Sequence, residues 1–336
     1  MRDLARRRPL FPTNWPATLP ALAALLVGFV PIGRARAQLG GGVSQADSML
    51  ATGRVGAAES LYYATSSARP RDAVARAALG RYLAARGHLR IGAVLLEEAR
   101  LFGGDTAGIA RSLAPIYGSL GDYRALATLP ASPLSSAEQK RVRWLVSHPP
   151  VLEFPDSVIT VSYKPLVDGS GVGVVSLGIG ERRVDALLDP RVSGVLLRGK
   201  AARRREGLRV FGEDSTAAVA IVSELHLGDV TLSNVTARLD TSASGTKRLP
   251  QNVVLGLDVL RSLSPAFDPA AQTITLRRGQ IPPTTVGTRT PMLLDENGLR
   301  FVVDGHWETG SSTAAARLLG TQRWTVDAKH GILLLQ

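Results

Sequence analysis

Cysteine is absent from this chain of 336 residues. Its absence excludes disulfide bridges, cysteine nucleophiles and zinc sites built on thiolates. The five histidines include no pair at the helical spacing of metal ligands, and the sequence has no Gly-x-Ser-x-Gly elbow. We therefore predict neither a metal site nor a cofactor. Aromatic residues are scarce at 5%, while 45% of the chain is hydrophobic, so alanine, valine and leucine must fill its cores.

The first 37 residues have the order of a secretory signal peptide. Basic residues come first, an apolar run follows from Leu19 to Val30, and the small-residue site Ala35-Arg36-Ala37 comes last. The apolar run is short for a helix that spans a bilayer. We therefore expect export to the periplasm or the cell exterior, with cleavage after Ala37. The alternative is a segment that stays attached, and membrane contact is expected only in that case.

The net charge of +12 is concentrated at the start, where residues 1–37 hold six Arg and one Asp. The remainder carries about +7, which is moderately basic and gives no signature of nucleic-acid binding. An exported chain also rarely meets nucleic acid. We predict a protein or peptide as the substrate or partner.

Residues 38–135 contain a repeat, because Gly53, Gly87 and Gly121 follow one another at intervals of 34 residues. Each glycine opens a similar phrase, and a period of this length is typical of stacked helix pairs. The segment resembles tetratricopeptide repeats, which implies an all-α array. It has two possible roles: a groove that recruits a protein or peptide, or a spacer packed on the following domain. Residues 136–150 are predicted to be a linker with a short helix.

Residues 151–282 lose the helical period, and short runs of Val, Ile, Leu and Thr alternate with Gly, Asp, Asn and Pro. This density of short strands predicts a small closed or Greek-key β domain. The chain as a whole is therefore predicted to be an α+β multidomain protein. After Pro282-Pro283, residues 283–336 are either a β extension of that domain or the remnant of a second lobe.

One turn in the β domain stands out, because an apolar strand delivers an acid into it. The turn reads Asp189-Pro190-Arg191-Val192-Ser193. It resembles the active-site turn of retropepsin-like aspartic proteases, Asp-Thr-Gly-Ala-Ser, in its acid and its serine but not between them. The later run Val254-Leu255-Gly256 resembles the apolar element that crosses beneath that turn in the family. The resemblance implies a flap over Leu208 to Val222, with glycines at Gly207 and Gly212.

The resemblance implies an aspartic peptidase that activates water between two carboxylates, one from each subunit of a homodimer. Asp189 would supply the carboxylate. Pro190 has no hydroxyl to lock the two turns together, and the cation of Arg191 disfavours a shared proton. These departures argue for reduced or absent activity, and they leave a pseudoprotease scaffold in the cell envelope as the alternative. We expect a monomer or a weak homodimer, the dimer requiring a compensating acid such as Asp258.

A second candidate acid is Asp240, which opens the phrase Asp240-Thr241-Ser242-Ala243-Ser244. This phrase is closer to the family turn letter for letter. Gly256 follows only 16 residues later, which leaves no room for a flap. A pairing with Leu318-Leu319-Gly320 would instead require a rearranged topology. The bland interpretation, a polar loop between strands, is preferred, and Asp240 remains the alternative to Asp189.

Overall fold

The computed structural model describes residues 41–166, 173–190, 192, 194–198, 207–212, 218–240, 252–278, 281, 285–295, 298–309 and 312–336. These residues all lie in the larger of the chain's two units, Gly40–Gln336. The predicted signal peptide lies outside them, as do Arg191, Ser193 and the phrase from Thr241 to Ser244. Within the ranges given, no helix is long and apolar enough to cross a membrane.

The first part of the described chain is helical. Its helices are α1 Gly42–Ala51, α2 Val55–Ala68, α3 Ala73–Ala85, α4 Leu89–Leu101, α5 Thr106–Leu120, α6 Tyr123–Ala127 and α7 Ser136–Ser147. Asp72 begins α3 by accepting hydrogen bonds from the backbone N–H groups of Val74 and Ala75. Ser135 and Glu138 form a reciprocal capping box at the start of α7. The local sequence therefore sets where these helices begin.

Small residues allow the paired helices to approach closely. A Cβ atom added to Gly92 of α4 would lie 2.7 Å from the carbonyl oxygen of Gly80 in α3. The third pair is unequal, because α6 has only 5 residues and ends before Pro130. The part from α1 to α7 is thus all-α, whereas its assignment to the tetratricopeptide repeats stays a prediction. Helix α7, in the predicted linker, buries Val142 and Leu145 in the helical core.

The following part is a β-barrel with extra strands. Its strands are β1 Val151–Glu153, β2 Val158–Ser162, β3 Lys164–Pro165, β4 Gly173–Ile179, β5 Arg182–Asp189, β6 Val195–Arg198, β7 Leu208–Phe211, β8 Val219–Leu227, β9 Val230–Asp240, β10 Val253–Gly256, β11 Ala266–Asp268 and β12 Thr273–Arg277. The ring runs β9, β6, β10, β5, β4 and β8, and it closes because β8 pairs with both β4 and β9. Inward-facing apolar side chains fill it, as period-2 strands require.

The last part continues a second sheet that the barrel segment begins. Its elements are β13 Thr288–Asp295, β14 Gly298–Val303, β15 His306–Thr309, α8 Thr313–Thr321, β16 Trp324–Asp327 and β17 Ile332–Leu335. Strand β16 pairs with β11, and the rings of Phe267 and Trp324 stack with centroids 3.8 Å apart. Leu318-Leu319-Gly320 lies in helix α8, whereas Val254-Leu255-Gly256 is a strand, so their similarity in sequence is not a similarity in structure.

The repeat glycines connect the helices to the last part. Gly53 and Gly87 have φ values of +75° and +90°, and each lies in a turn between paired helices. A Cβ atom on Gly53 would lie 1.9 Å from the carbonyl oxygen of Gly305, and one on Gly87 would lie 2.0 Å from that of Ala328. Gly121 has nothing within 4 Å of its Cβ position. Two of the three repeat turns are therefore docked on turns of the C-terminal sheet.

Candidate functional site

The turn that carries Asp189 is built around a strand inserted from later in the chain. Strand β10 lies between β5, which is parallel to it, and β6, which is antiparallel to it. In this register Gly256 lies opposite Asp189. The chain therefore leaves β5 at Asp189, passes around the end of β10, and returns as β6. The apolar run Val254-Leu255-Gly256 is fully buried beneath the turn.

Hydrogen bonds hold the turn in shape. The N–H of Val192 donates to the carbonyl oxygen of Asp189 (3.2 Å), and the N–H of Gly256 donates to the carbonyl oxygen of Gly194 (2.9 Å). The N–H of Gly194 donates to Oδ1 of Asp258 over 2.7 Å. A Cβ atom on Gly256 would lie 2.2 Å from the carbonyl oxygen of Val192, so only glycine fits between the strand and the turn.

The turn is covered by the antiparallel strands β13, β14 and β15 of the same chain, which we call the C-terminal hairpin. Asp189 is 5% exposed, and Pro190 is also buried. The N–H of Leu299, at the start of β14, donates to the carbonyl oxygen of Pro190 over 2.7 Å. The backbone of Asp295, at the end of β13, pairs with Gly298 beside this contact. A segment of the same chain therefore packs directly on this turn.

Asp240 is far from this turn. It ends β9 and lies opposite Arg198 of the parallel strand β6. Backbone pairing across β5, β10, β6 and β9 places Leu188 level with Ala237, so Asp189 is level with the residue before Ala237. Asp240 lies four residues further along β9, a distance of about 13 Å along the strand. They are also three strands apart around the barrel. The two acids cannot share a proton within one chain.

The hairpin predicted as a flap is packed against a helix. Strand β7 pairs with Val219–Val222 of β8, and Gly207 and Gly212 flank β7 with φ values of +78° and +77°. Ile221 is 0% exposed because it belongs to the helical core. The guanidinium carbon of Arg209 lies 5.1 Å from the centroid of the Trp144 ring of α7. The predicted flap is thus held by α7 on the face that would otherwise be open.

A cavity of about 960 Å³ lies between the helices and the C-terminal hairpin. Helices α1, α3 and α5 form one wall, and strands β13, β14 and β15 form the other. Its polar lining includes Arg81 and Arg111 on the helical side and Arg300, Trp307 and Glu308 on the hairpin side. No sequence motif predicts this site, because it exists only where residues some 200 positions apart are brought together.

Asp258 connects the two sites. Its carboxylate accepts the Gly194 N–H and also belongs to the lining of the cavity. Arg261, one turn later, donates from Nη2 to the carbonyl oxygen of Leu294 over 3.1 Å. Burial lowers the pKa of the Arg261 guanidinium, and the nearby carboxylate of Asp258 partly offsets this. Asp258 is expected to compensate the charge of Arg191 in a dimer, but it interacts with groups of its own chain.

In the described ranges, no three His, Asp or Glu side chains are grouped closely enough to hold a metal ion.

Two tyrosines, Tyr62 and Tyr82, line the cavity. The hydroxyl of Tyr62 donates to Asp47, and that of Tyr82 donates to Glu59. Burial, followed by these carboxylate contacts, raises the pKa of both phenols. Both hydroxyls therefore act as hydrogen-bond donors to neighbouring carboxylates.

Among known proteins, the chain is similar to solved structures. No protein-family profile matches the chain, and no curated protein matches it. A solved structure that does match is a retropepsin-like aspartic protease from Rickettsia conorii. It is 14% identical, the match covers 38% of this chain and 92% of that one, and the TM-score is 0.26.

Proposed function

We propose that this chain is a degenerate relative of the retropepsin-like aspartic proteases that acts as a binding protein and not as a peptidase. The observation that carries the proposal is the contact between Leu299 and Pro190 above a buried Asp189. An aspartic peptidase needs two carboxylates and a water molecule open to the substrate. At 5% exposure, beneath its own hairpin, Asp189 offers no such opening. The export expected from residues 1–37 is part of the proposal.

The departures in the turn support the same conclusion. Pro190 lacks both the hydroxyl and the N–H with which the family residue at this position would join two turns. The carbonyl oxygen of Pro190 is already used by the Leu299 N–H. The hydrogen-bonding capacity that would assemble a two-subunit site is therefore spent within one chain.

A cleavage assay tests this proposal. The chain from residue 38 to residue 336 is incubated with an unfolded protein substrate between pH 3 and pH 8, and fragments are measured by mass spectrometry. We expect no cleavage above that of the Asp189→Asn variant. Cleavage by the native chain that disappears in Asp189→Asn would refute the binding-protein proposal.

A peptidase remains the second candidate, and the position of β10 favours it. The insertion of β10 between β5 and β6, with Gly256 opposite Asp189, is the arrangement that the family resemblance implies. The second acid would then have to come from another part of the same chain. For this candidate, Asp189→Asn must abolish cleavage, whereas Asp240→Asn must leave it unchanged.

A further inference from the structure

The cavity between the helices and the C-terminal hairpin has a cationic wall. Arg81 on α3 and Arg111 on α5 both line it and are exposed. Among the described residues, no carboxylate lies within ion-pair distance of either guanidinium. A guanidinium group that faces a cavity and has no carboxylate partner in the protein is suited to bind a carboxylate of a ligand.

The other charges of the cavity are largely engaged. Arg261 donates to the Leu294 carbonyl and lies near Asp258, which itself accepts the Gly194 N–H. Asp47 accepts the hydroxyl of Tyr62. Glu308, on the hairpin wall, is the acid that opposes the two arginines. The two arginines without ion pairs therefore give the helical wall a positive charge that Glu308 alone does not balance.

The hairpin wall contributes an unused donor and an apolar surface. The indole N–H of Trp307 is buried and has no acceptor within the described part of the chain. A buried donor without an acceptor is costly, so one that persists calls for an explanation. Leu293 and Leu294 lie in the same wall, and Leu50 and Ala78 lie opposite them. A ligand that fits this lining has an anionic group, an acceptor and an apolar side chain.

We propose that the cavity binds a short acidic peptide segment. Arg81 and Arg111 would hold its carboxylate, Trp307 would donate to its backbone, and an apolar side chain would lie against Leu293. A volume of about 960 Å³ is at the upper end of the range for ligand sites, which suits several residues better than a single small anion. This inference rests on the proposed function, because it gives the binding protein its ligand. The binding test and the cleavage assay have separate readouts, so failure of the one is distinguishable from failure of the other.

The test uses fluorescence polarisation with a labelled hexapeptide of alternating leucine and glutamate. The matched control peptide has glutamine in place of glutamate. We expect the acidic peptide to bind and the neutral one to bind at least about tenfold more weakly, as the loss of charge-assisted hydrogen bonds predicts. Arg81→Gln and Arg111→Gln should each weaken binding about tenfold, and Trp307→Phe should weaken it about threefold.

Arg90→Gln provides the matched variant, because Arg90 is also exposed, lies on α4 and does not line the cavity. It removes the same charge and should leave binding unchanged. Equal weakening by Arg81→Gln and Arg90→Gln would overturn the site in favour of general electrostatic attraction. Displacement of the probe by an equal concentration of inorganic phosphate would overturn the peptide class. No binding at 1 mM peptide by a folded chain would overturn the proposal altogether, whatever the cleavage assay shows.

Discussion

Leu299 and Pro190 are joined by a hydrogen bond of 2.7 Å between the N–H of the first and the carbonyl oxygen of the second. They are 109 residues apart in sequence, yet this bond fixes the C-terminal hairpin on the turn of Asp189. The same hairpin forms one wall of the cavity that faces the helices. The hairpin therefore contacts the acid turn on one side and lines the cavity on the other.

Replacement of Gly256 tests how tightly β10 fits under the turn. Its φ of −78° is open to any residue, so the cost of Gly256→Ala is steric and comes from the Val192 carbonyl oxygen, 2.2 Å from the new Cβ. We expect the free energy of unfolding to fall by about 1–3 kcal/mol or more. Gly118→Ala, within α5, has open space around its Cβ and should gain up to about 1 kcal/mol.

Both variants are measured by chemical denaturation followed by circular dichroism. A Gly256→Ala protein as stable as the native chain would mean that the turn is free to move away from β10. That outcome would also weaken the proposal that the turn is closed.

The repeat glycines offer a matched pair of substitutions. Gly87 and Gly121 both have positive φ, so alanine is strained at each by about 1–2 kcal/mol. Only Gly87 also faces a carbonyl oxygen, that of Ala328, at 2.0 Å from its Cβ position. We expect Gly87→Ala to lower the midpoint of thermal unfolding by several degrees more than Gly121→Ala. Equal shifts would mean that the α3–α4 turn does not bear on the C-terminal sheet.

Much of the fold can be read from local patterns. The alternation of apolar and polar residues predicts the barrel strands, and the 34-residue interval of the glycines predicts the helix pairs. The run Val254-Leu255-Gly256 predicts a buried strand that ends at a glycine, where two backbones approach closely. These features are local, because a strand or a turn depends on residues within a few positions of one another.

The contacts that make the sites are not local, and the sequence does not contain them in a readable form. Nothing near Gly87 indicates that it will meet Ala328, and nothing near Pro190 indicates Leu299. The sequence of β8 does contain one sign of the contact between the predicted flap and the helical core. Val219 to Val222 are all apolar, which is typical of a strand covered on both faces and not of an exposed flap.

The N-cap of α3 predicts a dependence of stability on pH. The N–H of Ala75 is the largest cause that lowers the pKa of the Asp72 carboxyl below its usual value; burial opposes it, and the N–H of Val74 and the Arg69 guanidinium lower the pKa further. Because the folded pKa is depressed, the stabilisation is present above pH 4 or so and is lost as the pH falls. Asp72→Asn keeps an acceptor but does not titrate. The advantage of the native chain over Asp72→Asn should therefore be smaller at pH 3 than at pH 7.

Asp72→Ala measures how much the N-cap side chain stabilises the protein, and we expect the free energy of unfolding to fall by about 1 kcal/mol. Urea denaturation at the two pH values measures both differences. A constant difference between the native chain and Asp72→Asn across this range would show that the carboxylate charge does not contribute.

The last prediction concerns the β7–β8 hairpin. Ile221 is fully buried in the helical core, with Phe211 packed beside it and Arg209 over the ring of Trp144. Ile221→Ala should therefore cost about 2–5 kcal/mol, whereas Val286→Ala, at a side chain 84% exposed, should change stability by less than about 0.5 kcal/mol. Hydrogen exchange should speed up in α7 as well as in β7 and β8, because the three share one core. Faster exchange in the hairpin alone would show a flap that moves independently of α7, and the peptidase would then become the better candidate.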